Sequence, residues 1–454
     1  MPLVIVALAV VLLVVLMTRL KLNGFVALLL VSGLVGLWAV ITGNLTYEGE
    51  SGAGLEAIPA LIEDGLGGQL SSTLIVIGLG AMIGRVLGDA GAAQRIALSL
   101  TRAFGERGVQ WAMIVTSVII GGTMFYEVAF IIIVPVAFTL VRTTGKRLLW
   151  IALPMSITLS TMHSFLPPHP GPTAVAGLYG ASIGTTLLLG LLIALPAGAL
   201  IAMTWPRLPF VRRLDPSIPV GLVSDKEFAE EEMPSLGLSV TIAMIPVVLI
   251  AGGAVYELLA PGESTLGAIV TFIGEPTVAL LLSLVLATWA LGPRLGHSLV
   301  EVASSMGGGA KAMAMIILVV GAGGSFKEVL TAAGVGDYIA GLVGDWSVNS
   351  LVLAWLIAVI LRIALGSATV AVSTAAGIAA PLVAAGGVSP ELAVLATACG
   401  SIAVSHVNDP GFWLFKEYFN LDLTDAIKTR TSYTTVLAIL GLGGVLLLSL
   451  VVPA

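Results

Sequence analysis

About a dozen apolar stretches, each near the ~20 residues that cross a bilayer, take up most of this 454-residue chain. Lipid offers no partner for an unpaired backbone group, so such stretches are committed to helices. The chain therefore reads as an all-α integral membrane protein of about 11–14 membrane segments. Charged residues are 10% of the chain against 57% hydrophobic, where a soluble protein carries about 25% charge. The net charge of −6 gives no footprint for nucleic acid, because the charges sit between the apolar runs. Cys399 is alone, which excludes an internal disulfide, and its apolar surroundings fit a packed thiol. Residues 3–18 lack a basic flank before them and a small-residue cleavage site after them, so they read as a first membrane helix.

Loop charges set an expected orientation. Arg19 and Lys21 follow the first run, residues 43–69 carry only acidic charges, and Arg85, Arg95, Arg102 and Arg107 follow. Basic loops stay in the cytoplasm, which places the N-terminus outside. Residues 206–234 form the only long polar stretch, with Arg207, Arg212, Arg213, Lys226 and Glu230-Glu231-Glu232. They read as a cytoplasmic linker between an N-terminal half, 1–205, and a C-terminal half, 235–454. The halves repeat: Gly80–Ala97 and Gly323–Ala340 align without gaps and share Gly80/Gly323, Leu87/Leu330, Gly91/Gly334 and Ala97/Ala340. Their opposite charge bias is that of inverted-topology repeats.

Four polar segments interrupt the apolar runs, two in each half. Gly121–Val128 and Arg362–Thr369 sit inside runs longer than one span, which suggests re-entrant helical hairpins with tips near the membrane centre. His163–Thr173 and Ser405–Gly411 hold prolines, which free backbone carbonyls and break helices. Paired breaks in corresponding positions point to a transporter's binding site, and helix N-termini at such tips favour an anion. Glu127 lies deep in an apolar stretch, where a carboxylate costs roughly 2.5–3.5 kcal/mol. It reads as a proton carrier, or else as a brace for Arg362. Arg362 reads in turn as a clamp for a substrate carboxylate or as the partner of Glu127. His163, His169 and His406 are three of four histidines and all fall in the breaks, where they are candidates for substrate contact or proton relay. Asp409 reads as a second proton group or as a helix cap.

No phosphate loop of the G-x-x-x-x-G-K-[S/T] type is present, so ATP is not the driver. Nothing has zinc spacing, and no metal or cofactor is expected. A membrane enzyme lacks a nucleophile–base pair, and a channel lacks a continuous polar lane.

The strings Phe125-Tyr126-Glu127-Val128, HSFLPPHPGPTA from His163, LRIALGSATVA from Leu361 and SHVNDPGFWLFKEYFN from Ser405 resemble the gluconate permease family of bacterial sugar-acid:proton symporters. The resemblance covers essentially the whole chain. More distantly, the chain is similar to ion-coupled carboxylate transporters with two inverted repeats, two hairpins and two broken helices. That likeness implies a homodimer in the bacterial inner membrane, with a transport domain around 110–205 and 350–430 sliding against a scaffold in elevator fashion. It implies gluconate or a similar sugar acid and protons as partners, with another small organic acid or D-serine as alternatives. The residues matching these roles are Thr123, Tyr126, His163, His169, Gly171, Thr173, Arg362, Ser367, Thr369, His406 and Asn408 for substrate, and Glu127 and Asp409 for proton coupling. A passive facilitator and sodium coupling through freed carbonyls remain as rivals.

Overall fold

The computed structural model describes residues 2–122, 125–167, 169–219, 226, 228–259, 264–335, 338, 349–385 and 387–452. Among them eight helices are long and apolar enough to cross a membrane, and six shorter apolar helices of 10–17 residues accompany them. The dozen apolar runs of the sequence thus divide into whole spans and shorter pieces, because glycines and prolines cut several runs before they cross.

The first half begins with α1 (Pro2–Thr18), α2 (Gly24–Ile41) and the long α3 (Ala57–Asp89). Next come α4 (Ala92–Gly121) and α5 (Tyr126–Thr144), which pack together as a hairpin. Then α6 (Leu148–Phe165) ends at its cap Leu166, and after a break α7 (Pro170–Tyr179) starts from its cap His169; α8 (Ile183–Thr204) and the short α9 (Pro209–Arg212) lead to the linker. The second half adds α10 (Leu236–Leu259), α11 (Thr265–Gly274), α12 (Pro276–Leu291) and the long α13 (Leu299–Ala332). It ends with a second hairpin, α14 (Ser350–Leu365) and α15 (Ala368–Ala385). After it come α16 (Pro390–Gly400), a break over 401–409, α17 (Pro410–Tyr418), α18 (Leu423–Ala426) and α19 (Ser432–Leu448).

The repeat is visible as matched elements. Helices α3 and α13 are 33 and 34 residues long, and each is followed by a glycine in the left-handed region, Gly91 at φ 75° and Gly334 at φ 71°. The aligned positions 336, 337, 339 and 340 lie outside the described residues. The two long helices pack antiparallel. Gly65 lies against Gly324 and Ser325, Leu70 against Gly321, and Ala81 against Gly309, while Ser325 Oγ donates to Ile62 O at 2.7 Å. Small residues let two backbones close in where lipid supplies no hydrophobic drive. This crossing sits with α2, α10 and α12 on one side of the molecule. Helices α4–α8 and α14–α19 interlock on the other, through α7 on α15, α7 on α16 and α8 on α19.

Part of the linker folds back onto α4. Glu230 bonds Arg95 at 3.1 Å and Arg102 at 2.7 Å, Gln94 exchanges two 3.1 Å bonds with the Phe228 backbone, and the Phe228 ring covers Gly91. The hydrogen bond and charge of Arg102, helped by Arg95, pull the Glu230 carboxyl from 4.5 down to about 2.

A methyl group at Gly324 would meet Gln69 Cβ at 2.3 Å and Gly65 O at 2.4 Å, whereas one at Gly67 would meet nothing. Gly324→Ala should cost about 1–3 kcal/mol of stability, seen as a lower melting temperature in detergent, while Gly67→Ala should leave it unchanged. A depressed carboxyl holds its ion pairs above its ordinary value and loses them only as pH falls toward the folded one. Tryptic cleavage after Lys226 should therefore be insensitive to pH near neutrality. Glu230→Gln should accelerate it.

Candidate functional site

The two hairpin tips and the two breaks meet at one cavity of about 530 Å³. Hairpin one contributes Phe125, Tyr126, Glu127 and Val128; break one contributes Ser160, His163 and Ser164. Hairpin two contributes Arg362, Ser367, Ala368 and Thr369, and break two Ser405, Asp409, Pro410 and Gly411. The α3–α13 side closes the opposite wall with Gln69, Ser71 and Lys327, and the start of α12 adds Glu275. The first turns of α5, α15 and α17 all reach this space, and helix N-termini carry partial positive charge toward an anion.

Each tip is fastened to its neighbouring break. Helix α4 ends at Gly121, whose carbonyl lies 2.8 Å from His169 Nε2. Helix α14 ends near Ile363 and Ala364, whose carbonyls accept from Asn408 Nδ2 at 2.9 and 3.2 Å, and Ile363 O also pairs with His406 Nε2 at 3.0 Å. The last carbonyls of a helix have no partner within it, so these polar side chains complete the hairpins. Gly366 turns at φ 75°, and a Cβ there would sit 2.1 Å from Asn408 O. Only glycine lets the second tip press onto its break.

The charges form one buried network. Asp409 Oδ2 accepts from Arg362 Nη2 and from Ser405 Oγ, and Arg430 Nη2 lies 3.7 Å away. Its other oxygen caps α17 by accepting from Gly411 N at 2.9 Å, so cap and ion pair coexist in one carboxylate. Arg430 sits in a single turn of π-helix, Ile427–Thr431. It donates to Ser405 Oγ at 2.9 Å, Tyr126 Oη at 2.6 Å and Tyr433 Oη at 3.0 Å, with its guanidinium 4.7 Å above the Tyr126 ring. Such π-turns recur at functional sites. Arg362 also donates to Gly366 O, and its Nε lacks an acceptor among the described residues.

Tyr126, Glu127, His163, Arg362, Ser367, Thr369 and Asp409 are thus brought together on the cavity wall. His169, His406 and Asn408 lie behind it, holding backbone carbonyls. Gly171 packs toward Val372 on α15, and Thr173 stands in the first turn of α7, bonded through its backbone to His169 O. Thr123 lies outside the described residues. Glu127 does not brace Arg362: that partner is Asp409, and Glu127 forms no ion pair among the described residues. Sequence reasoning missed Arg430, Lys327 and Gln69. For Arg430 a signal existed, an arginine flanked by Thr429, Thr431 and Tyr433 inside a 26-residue span, Leu423–Leu448.

Broken helices and hairpins around a charged, membrane-embedded cavity define a membrane transporter. The chain matches the GntP family permeases over residues 1–451, and it belongs to that family. It is 44% identical to the high-affinity gluconate transporter of Escherichia coli (strain K12), over 100% of both chains. It is 42% identical to the Gnt-II system L-idonate transporter of the same strain, over 99% of this chain and 100% of that one. To the gluconate permease of Bacillus subtilis (strain 168) it is 40% identical, over 100% of each. These are permeases and not enzymes.

Removing one member of a buried ion pair strands the other. Asp409→Asn should lower stability by about 3–5 kcal/mol, whereas Glu127→Gln, which breaks no direct ion pair, should lower the melting temperature clearly less. Thermal unfolding of the purified variants checks both.

Proposed function

We propose that the chain imports gluconate and closely related sugar acids together with protons across the bacterial inner membrane, as a homodimer. One observation carries this reading. Two buried guanidiniums, Arg362 and Arg430, share a single paired carboxylate, Asp409, which leaves one positive charge over. On the same wall stands Glu127, a carboxyl with no ion pair among the described residues. Either the Glu127 carboxylate or a substrate carboxylate balances that charge, and both at once overfill it. Substrate therefore binds when Glu127 carries a proton, and the two travel as a pair. Bringing an anion alone into a negative interior is opposed by about 2.3 kcal/mol per 100 mV, a cost the proton removes.

The remaining surfaces suit a polyhydroxy acid. Ser160, Ser164, Ser367, Thr369, Ser405 and His163 line the cavity, and its volume falls in the usual range for small-molecule sites, about 300–1,000 Å³. Gluconate and idonate differ only in the configuration of one hydroxyl-bearing carbon, so relatives for both support the sugar-acid class. Asp409, held by two arginines, a hydroxyl and an amide, is the fixed charge; Glu127 is the one that exchanges. For the movement, α4 has a non-helical residue, Gly105 at φ 68° and ψ 164°. This joint lies between the arm beside the linker and the hairpin, which supports a hairpin group that moves against the α3–α13 scaffold.

Proteoliposomes with an imposed inward proton gradient test the reading. The parent should accumulate gluconate uphill, with idonate competing. Glu127→Gln should lose pH-driven accumulation but keep gluconate exchange across the membrane. Flux in the parent that only equilibrates would mean a passive facilitator. Normal proton-driven accumulation by Glu127→Gln would remove Glu127 from the coupling.

A further inference from the structure

Apart from the central cavity, the seam between α6 and α8 carries two more hollows. One, of about 340 Å³, is lined by Arg147, Trp150, Pro206, Arg207, Val211 and Arg212. Among the described residues one carboxylate pairs with these three arginines, Asp215, which lies 3.4 Å from Arg147 Nε, while Arg207 donates to Met203 O. Arg147 is occupied further: it donates to the carbonyls of Arg212 and Leu214. Arg207 stacks 4.6 Å over the Trp150 ring. The Arg212 side chain is exposed and has no bonding partner among the described residues. Trp205 and Phe210 meet edge-to-face beside the cavity, at 6.4 Å between centroids. With Trp150 they make the kind of aromatic group that settles at headgroup level.

The other hollow, of about 270 Å³, is apolar. It lies where α4, α6 and α8 meet, with Trp111, Ile114, Val118, Met162, Leu195 and Ala199 on its walls. The two hollows occupy the same seam. Along α6, Thr158 lies eight residues beyond Trp150; Ala199 of α8 lies eight residues before Arg207, in the helical turn that continues it. At 1.5 Å per residue that is about 12 Å in each case. Leu188, Leu192 and Leu200 point outward from α8, so this side of the molecule faces lipid.

We infer that this seam binds an anionic phospholipid, with its phosphodiester headgroup among Arg147, Arg207 and Arg212 and one acyl chain in the apolar hollow. The excess positive charge selects the headgroup, and basic pockets between membrane helices take such groups. A free phosphate would fill the first hollow but leave the second unexplained. A zwitterionic lipid would fill the second without answering the charge of the first.

The full-length protein in detergent is titrated with phosphatidylglycerol and, separately, with phosphatidylcholine of matched chains. Bound lipid is counted by native mass spectrometry. Phosphatidylglycerol should bind at least about tenfold more tightly. Arg212→Gln removes a side chain that holds nothing else in place, so the protein should fold and exchange gluconate normally while losing most of that preference. Ala199→Phe should weaken the long-chain lipid and leave a short-chain phosphatidylglycerol unaffected. Inorganic phosphate should not displace the long-chain lipid. Equal binding of the two headgroups, or an Arg212→Gln protein that binds like the parent, would overturn the inference. Full displacement by phosphate, with no dependence on chain length, would assign the cavity to a free phosphate instead and overturn it equally.

Discussion

The carboxylate of Asp409, held between Arg362 and Arg430, is the interaction on which the site depends. A charge inside a membrane protein must be paired or functional, and this one ties together parts of the chain that are far apart in sequence. Arg362 brings the end of α14 and, through Gly366 O, the tip of hairpin two. Arg430 brings the π-turn and, through Tyr126, the start of α5 beside the tip of hairpin one. Gly411 N and Ser405 fix the second break. One ion-paired group thus sets the positions of four helix ends, each with a dipole or backbone group directed at the same space.

The same network limits what can occupy the cavity. Two guanidiniums against one paired carboxylate favour one further negative charge and oppose two. Glu127, on the wall without an ion partner among the described residues, is the internal candidate for that charge, and a sugar-acid carboxylate is the external one. Lys327 and Glu275 stand on the opposite wall with charges that formally cancel. In the proposed cycle the buried site of Arg362, Arg430, Asp409 and Glu127 is then neutral both when empty, with Glu127 ionised, and when loaded, with Glu127 protonated and one anion bound.

Much of this was legible in the sequence, because polar residues and prolines are rare in apolar runs and their placement is costly. The hairpin tips and both breaks could be read from that contrast, and the repeat from the aligned segments 80–97 and 323–340. Partners could not. Glu127 and Arg362 were the conspicuous opposite charges, yet Arg362 reaches Asp409, 47 residues away. His169, His406 and Asn408 were legible as intramembrane polar groups but not as partners of helix-end carbonyls, since which carbonyls lie nearby depends on how each tip seats on its break. Arg430 follows Lys428 and reads like a basic flank at a membrane boundary; a single turn of π-helix directs it inward instead. Lys327 and Gln69 reach the site only because α3 and α13 cross, and small residues allow many crossings.

The proposed cycle rests on a charge count, and the electrical character of transport measures it. Gluconate uptake into proteoliposomes at equal pH on both sides is followed while a potassium diffusion potential, inside negative, is imposed with valinomycin. One proton per monoanion, with both translocating forms neutral, means that the potential should neither drive accumulation nor shift its endpoint, while a pH gradient of equal energy should drive it. Uphill uptake driven by the potential alone would show that net positive charge crosses with each gluconate, and would contradict the account.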